Sequence, residues 1–168
     1  MQRVSKAAWQ GIEQQLGLGA ADFITARVYA DEQTLALCAV CATTLNLEPS
    51  DFFEEFGEFW VGFAASGPYR GVMKATGSSL PEFITNLDRM HGTIRAAMPD
   101  AQTPLFELVE HADDSLLVRY RSPRQGLEPL VKGLLLGLIG FFGDKGTVDQ
   151  LPSQPGHTDF RISMAGAI

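Results

Sequence analysis

Basic residues are scarce in this chain. Thirteen lysines and arginines stand against 20 aspartates and glutamates, a formal charge of −7. Such a surface has no patch to recruit phosphates, which argues against nucleic acid and anionic membrane surfaces as partners. Cysteine is scarcer still: Cys38 and Cys41 fall in one apolar, helix-like run among Leu37, Ala39, Val40 and Ala42. Thiol redox chemistry wants an exposed, electropositive helix N-terminus. Zinc wants about two further ligands, and no other cysteine supplies them. Buried, reduced packing residues are the expectation, with a thiol redox protein using Cys38 and Cys41 as an alternative. No apolar run reaches the roughly 20 residues that span a bilayer. The run LVKGLLLGLIGFFG, within residues 125–143, also lacks the basic face of a membrane-surface helix. It reads as a buried helix in which Gly133, Gly137 and Gly140 let something pack close. No secretory signal opens the chain, so the cytoplasm is the default. The histidines His91, His111 and His157 with scattered acids form no H-E-x-x-H, G-x-S-x-G or P-loop pattern, and no catalysis is expected.

What is present is one domain's worth of chain, 168 residues with 45% apolar content, enough to bury a core. Residues 4–16 are amphipathic, with Val4, Ala8, Ile12 and Leu16 in register and Gly17 and Gly19 as the stop. Residues 20–33 are ambiguous: Phe23, Ile24, Val28 and Tyr29 suggest extended backbone or a loop. A helix over 31–45 follows. Ser50 then caps a helix over 51–65 that carries Phe52, Phe53, Phe56, Phe59, Trp60 and Phe63. So many aromatics mark either a core element, which periodicity favours, or a wall for a flat ligand. Gly67 and Pro68 end it, and a short helical turn follows.

Ser79-Leu80-Pro81-Glu82 has the features of a helix start: a capping hydroxyl, a glutamate three residues on, and a proline in the first turn. Phe83, Leu87, His91 and Ile94 then line one face. After Pro99 the period changes to two. Residues 105–111 and 115–122 pair as a hairpin across Ala112-Asp113-Asp114. Strands over 146–151 and 158–165 close the chain, joined by a loop over 152–156. Helices first, then an antiparallel sheet with one inserted helix, make an α+β fold.

Two features carry chemistry. His91 lies in an apolar stripe, and such a histidine is most often a core residue with both nitrogens satisfied; the other reading is a metal ligand. Tyr120, Ser122 and Arg124 fall at alternate positions, hence on one strand face, which is either solvated or an anion clamp. Together, an imidazole and a converging guanidinium with hydroxyl donors match the needs of a haem: an axial ligand, and partners for the propionate carboxylates.

This stretch resembles the haem–nitric oxide/oxygen-binding (H-NOX) family, the sensor domain shared by bacterial gas sensors and soluble guanylate cyclase. That family carries an L-D-x-x-H helix, here Leu87-Asp88-Arg89-Met90-His91. It has a proline thirteen residues on, here Pro104, and a Y-x-S-x-R clamp, here Tyr120, Ser122 and Arg124. The resemblance runs from about Trp9 to near the C-terminus. It implies one haem-binding domain over 1–168, with a helical distal part to about residue 66 and a proximal helix-and-sheet part from 67. Haem b (iron protoporphyrin IX) would sit on His91, against Pro104, Phe83, Leu87 and an aromatic wall including Phe63, its propionates on Tyr120, Ser122 and Arg124. His111 and His157 are expected in hairpin and loop, solvated. Oxygen-binding relatives place a tyrosine at the position matching Leu130; with leucine there, nitric oxide and carbon monoxide are the expected ligands. Output would pass to a separate histidine kinase or cyclic-dinucleotide enzyme. Relatives usually carry a further helix ahead of the position matching Trp9, so an altered distal wall is expected. A haem-free ligand-binding or scaffold protein of the same fold is the remaining alternative.

Overall fold

The computed structural model describes residues 5–19, 28–67 and 69–166. Val4, Phe23, Ile24 and Pro68, used above, lie outside these residues. The chain forms two compact units that divide between Phe52 and Phe53.

In the first unit, α1 (Lys6–Leu16) is capped by Ser5, whose hydroxyl accepts from the Ala8 N–H at 3.1 Å. Gly17 ends it in the left-handed conformation at φ 63°, which glycine adopts without a Cβ penalty. Val28 and Tyr29 have no regular structure. The helix α2 (Asp31–Leu45) places two acids in its positive first turn and ends at Asn46 with φ 54°. Ile12 of α1 and Ala42 of α2 are buried.

The second unit begins within α3 (Pro49–Ser66). That helix starts one residue before the expected cap, so Ser50 is a helical residue. Its buried residues are Gly57, Val61 and Ala64, not the aromatics. Phe56, Phe59, Trp60 and Phe63 are 38–56% exposed, which corrects the core expectation for this face. Then come α4 (Arg70–Thr76), α5 (Leu80–Ala97), β1 (Leu105–Ala112), β2 (Ser115–Arg121), α6 (Glu128–Phe141), β3 (Gly146–Gln150) and β4 (Thr158–Met164).

Small residues explain why α3 turns its aromatics outward. A Cβ on Gly133 of α6 would overlap the Glu54 carbonyl, and one on Gly137 would lie 2.8 Å from Val61 Cβ. A Cβ on Gly57 would meet the α6 backbone in turn. The two helices therefore approach backbone to backbone, and Lys132 pairs with Glu54 across them at 2.9 Å. Gly140, expected to share this role, has nothing within 4 Å of its Cβ position.

The antiparallel sheet has the order β1-β2-β4-β3. Phe106 and Leu108 of β1 pair with Tyr120 and Val118 of β2; Phe160 and Ile162 of β4 complete that face. These residues, with α5 and α6, build the core. A register shift between Leu108 and Glu110 sets Glu110 opposite Leu117. A regular ladder would have turned that carboxylate toward the core.

Candidate functional site

The site grows from the start of α5. The Ser79 hydroxyl accepts from the Glu82 N–H at 3.4 Å, and the Glu82 carboxylate accepts from the backbone and hydroxyl of Ser78. The carboxylate thus closes on the residue before the cap, and these bonds hold its pKa below the ordinary range. Leu80, Phe83, Ile84 and Leu87 are buried along one face, and Ile94, near the helix end, is only partly so. His91 continues the stripe one turn beyond Leu87.

The ring of His91 is held at one nitrogen. Its Nδ1 lies 3.1 Å from the Pro104 carbonyl oxygen. A carbonyl cannot donate, so Nδ1 carries the proton and Nε2 is the basic nitrogen. Burial holds the pKa below the ordinary 6.5, which favours this neutral form. A core histidine would have both nitrogens satisfied; among the described residues only Nδ1 has a hydrogen-bond partner. An imidazole held at Nδ1 by a carbonyl is the arrangement that orients a metal-ligating Nε2.

His91 lines a cavity of about 320 Å³ within the second unit. Phe83, Leu87 and Met90 of α5 form one wall, with Pro104, Phe106 and Tyr120 beside them. Leu127, Leu130, Val131, Leu134, Leu135 and Leu138 face it from α6, and Trp60, Val61, Ala64 and Met73 complete it. Ser122 and Arg124 supply the polar margin.

The three clamp residues are brought together, though not by strand alternation alone. The strand β2 ends at Arg121, because Pro123 offers no N–H to continue the ladder. Ser122 and Arg124 lie in the turn beyond it, where the Arg124 N–H donates to the Ser122 hydroxyl at 3.1 Å. Tyr120 is 4% exposed; burial raises its phenol pKa, and a hydrogen bond with Ser122 works against that rise. The Arg124 guanidinium donates to the Gln102 carbonyl at 2.6 Å. Arg121 lies outside this group, paired with Glu107 at 2.9 Å.

Of the remaining expected residues, Pro104, Phe83, Leu87 and Leu130 line the cavity, but Phe63 does not. It is 44% exposed and packs on Phe59 and Trp60. Trp60, one turn away on the helix, takes the cavity position instead. Sequence reasoning also missed Met73, Met90 and Phe106. Phe106 was findable from its cross-strand pairing with Tyr120, whereas nothing in the local pattern marks the two methionines. His111 is exposed in the hairpin. His157 is half-buried rather than solvated, 3.8 Å from Asp159, which also holds Arg119. Cys38 and Cys41 are free and half-buried, and burial raises both thiol pKa values. That keeps them protonated and removes support for thiol redox chemistry. Among the described residues there is no cluster of three or more metal-ligating side chains. No described helix is long and apolar enough to cross a membrane.

The cavity thus combines one oriented imidazole, apolar walls and a polar margin of Tyr120, Ser122 and Arg124. A profile of the Haem-NO-binding family matches residues 1–150. The chain belongs to that family. It is 34% identical over 109 residues to soluble guanylate cyclase gcy-37 of Caenorhabditis elegans, covering 64% of this chain and 15% of that protein. It is 33% identical over 89 residues to guanylate cyclase soluble subunit beta-2 of Rattus norvegicus, covering 53% of this chain and 13% of that one. The chain thus spans a small part of these relatives. Among solved structures, an H-NOX protein mutant from S. oneidensis in the Fe(II) state superposes with a TM-score of 0.83 at 17% identity, covering 96% of this chain and 88% of that one. The Fe(II) unliganded H-NOX protein from K. algicida gives 0.77 at 17%, covering 95% and 88%. The α+β architecture is the H-NOX fold.

Proposed function

We propose that this chain is a haem-based nitric oxide sensor acting in the cytoplasm as a single module, without catalysis of its own. The observation that carries this reading is the His91 ring, fixed at Nδ1 by Pro104 in the wall of an apolar cavity. The residues present fit haem b: Nε2 of His91 would bind the iron, Phe83, Leu87, Leu130 and Pro104 would line the macrocycle, and Tyr120, Ser122 and Arg124 would hold its carboxylates. When bound, haem supplies a ferrous iron able to take diatomic gases.

The protein's own part is orientation and exclusion. Pro104 holds the imidazole in one tautomer, and the α6 leucines line the cavity without a donor. Nitric oxide and carbon monoxide need none, whereas oxygen needs one to be retained. The relatives are cyclases of which this chain spans a small part. The effector in this reading is a histidine kinase or a cyclic-dinucleotide enzyme.

The test is His91→Gly. We expect this variant to lose haem during purification and to regain a Soret band when imidazole is added. Unchanged haem retention without imidazole would refute the assignment and move the search to His157.

A further inference from the structure

Three consecutive residues just before β1 are each held by a different side chain. Arg124 Nη1 donates to the Gln102 carbonyl at 2.6 Å, Arg95 Nη1 donates to the Thr103 hydroxyl at 2.5 Å, and His91 Nδ1 meets the Pro104 carbonyl at 3.1 Å. Residues 101–104 have no regular structure. The Ala101 N–H donates to the Met98 carbonyl at 2.9 Å, whereas Pro104 offers no N–H. Arg95 is anchored in turn, since its Nη2 lies 3.3 Å from the Asp88 carboxylate. Asp88, His91 and Arg95 follow at spacings of three and four on α5, which puts them on one side of that helix. The segment bearing the carbonyl is therefore referred to the same helix that bears the imidazole.

We propose that Arg95 is a positioning residue for His91: by pinning Thr103 it sets the Pro104 carbonyl opposite Nδ1, and so the tautomer and donor strength of the imidazole. The guanidinium fork spans both ends, one nitrogen on the Asp88 side of the helix and one on the Thr103 hydroxyl. A stronger bond at Nδ1–H makes Nε2 a stronger electron donor to a metal. The consequence for iron rests on the function proposed above; the consequence for the ring does not.

The experiment reads both in the full chain. Ring-nitrogen NMR of the haem-free protein reports the tautomer of His91, and resonance Raman of the ferrous haem-loaded protein reports the iron–histidine stretch. Wild type is expected in the Nδ1–H form. Arg95→Met and Thr103→Val should shift population toward Nε2–H and lower the stretching frequency. Thr103→Ser, which keeps the hydroxyl, should match wild type in both. If Arg95→Met fails to fold, Thr103→Val decides, because it removes only the acceptor and keeps the side-chain shape. An unchanged tautomer and frequency in a folded Thr103→Val overturns the proposal. A shifted tautomer in a chain that takes up no haem leaves the positioning role standing and removes the haem reading instead.

Discussion

At the scale of single residues, the site depends on how each polar group divides its hydrogen-bonding capacity. His91 commits one nitrogen to the protein and keeps the other basic. Arg124 donates to the Gln102 carbonyl through one nitrogen of a planar fork, a geometry suited to a carboxylate. Hydrogen bonds to charged groups contribute about 1.5–3 kcal/mol each. Arg124→Ala should therefore loosen haem by about tenfold or more, since roughly 1.4 kcal/mol is one decade. Arg121, exposed and paired with Glu107 away from the cavity, is the internal control. Haem-transfer kinetics to an apo-acceptor protein would show the contrast, and equal loss from Arg121→Ala would place the clamp elsewhere. Trp60 is the one cavity residue outside the clamp and His91 with a polar N–H, and it is 43% exposed.

At the scale of elements, the cavity walls are placed by the close approach of α3 and α6. That approach depends on glycines at particular turns of the helix, not on glycine content. Gly133→Ala must push Cβ into the Glu54 carbonyl. Overpacking of this kind costs about 1–3 kcal/mol, and backbone atoms yield less readily than side-chain ends. Gly140→Ala meets nothing within 4 Å and lies in a helix. There alanine should stabilise by roughly 0.5–1 kcal/mol, because glycine loses more backbone entropy on folding. Urea melts of the two variants should move in opposite directions. A loss from Gly140→Ala similar to that from Gly133→Ala would mean that α6 packs differently from the arrangement described. The α3 aromatics follow from the same geometry: with the small residues turned toward α6, Phe59 and Phe63 face outward, and only Trp60 reaches the cavity.

At the scale of the whole molecule, the proposed gas selectivity rests on what several elements jointly fail to provide. The α6 leucines and Val131, with Val61 and Ala64 of α3, present no donor. Visible spectra of the ferrous, haem-loaded protein should change on adding nitric oxide or carbon monoxide and should show no stable oxygen complex in air. If oxygen is retained, Trp60→Phe identifies the donor: loss of retention in that variant would assign it to the indole. Retention in both proteins would mean that a donor outside this lining reaches the ligand.

The sequence by itself determined most of the local structure and the elements that carry the candidate side chains. The Ser79 cap, the apolar stripe through His91 and the hairpin turn, expected over Ala112-Asp113-Asp114 and found at Asp113 and Asp114, rest on short-range rules. Such rules hold wherever the period of burial matches the period of the backbone. What only the tertiary structure decided are the relations across elements. The tautomer of His91 depends on a carbonyl thirteen residues away. Ser122 and Arg124 converge with Tyr120 through a turn beyond the strand end. The bulge after Leu108 shifts the register of Glu110, and Trp60 takes the cavity position in place of Phe63. Each depends on which face of one element meets which face of another. A sequence pattern specifies how apolar a face is, but the shape of the surface packed against it selects which side chains turn inward.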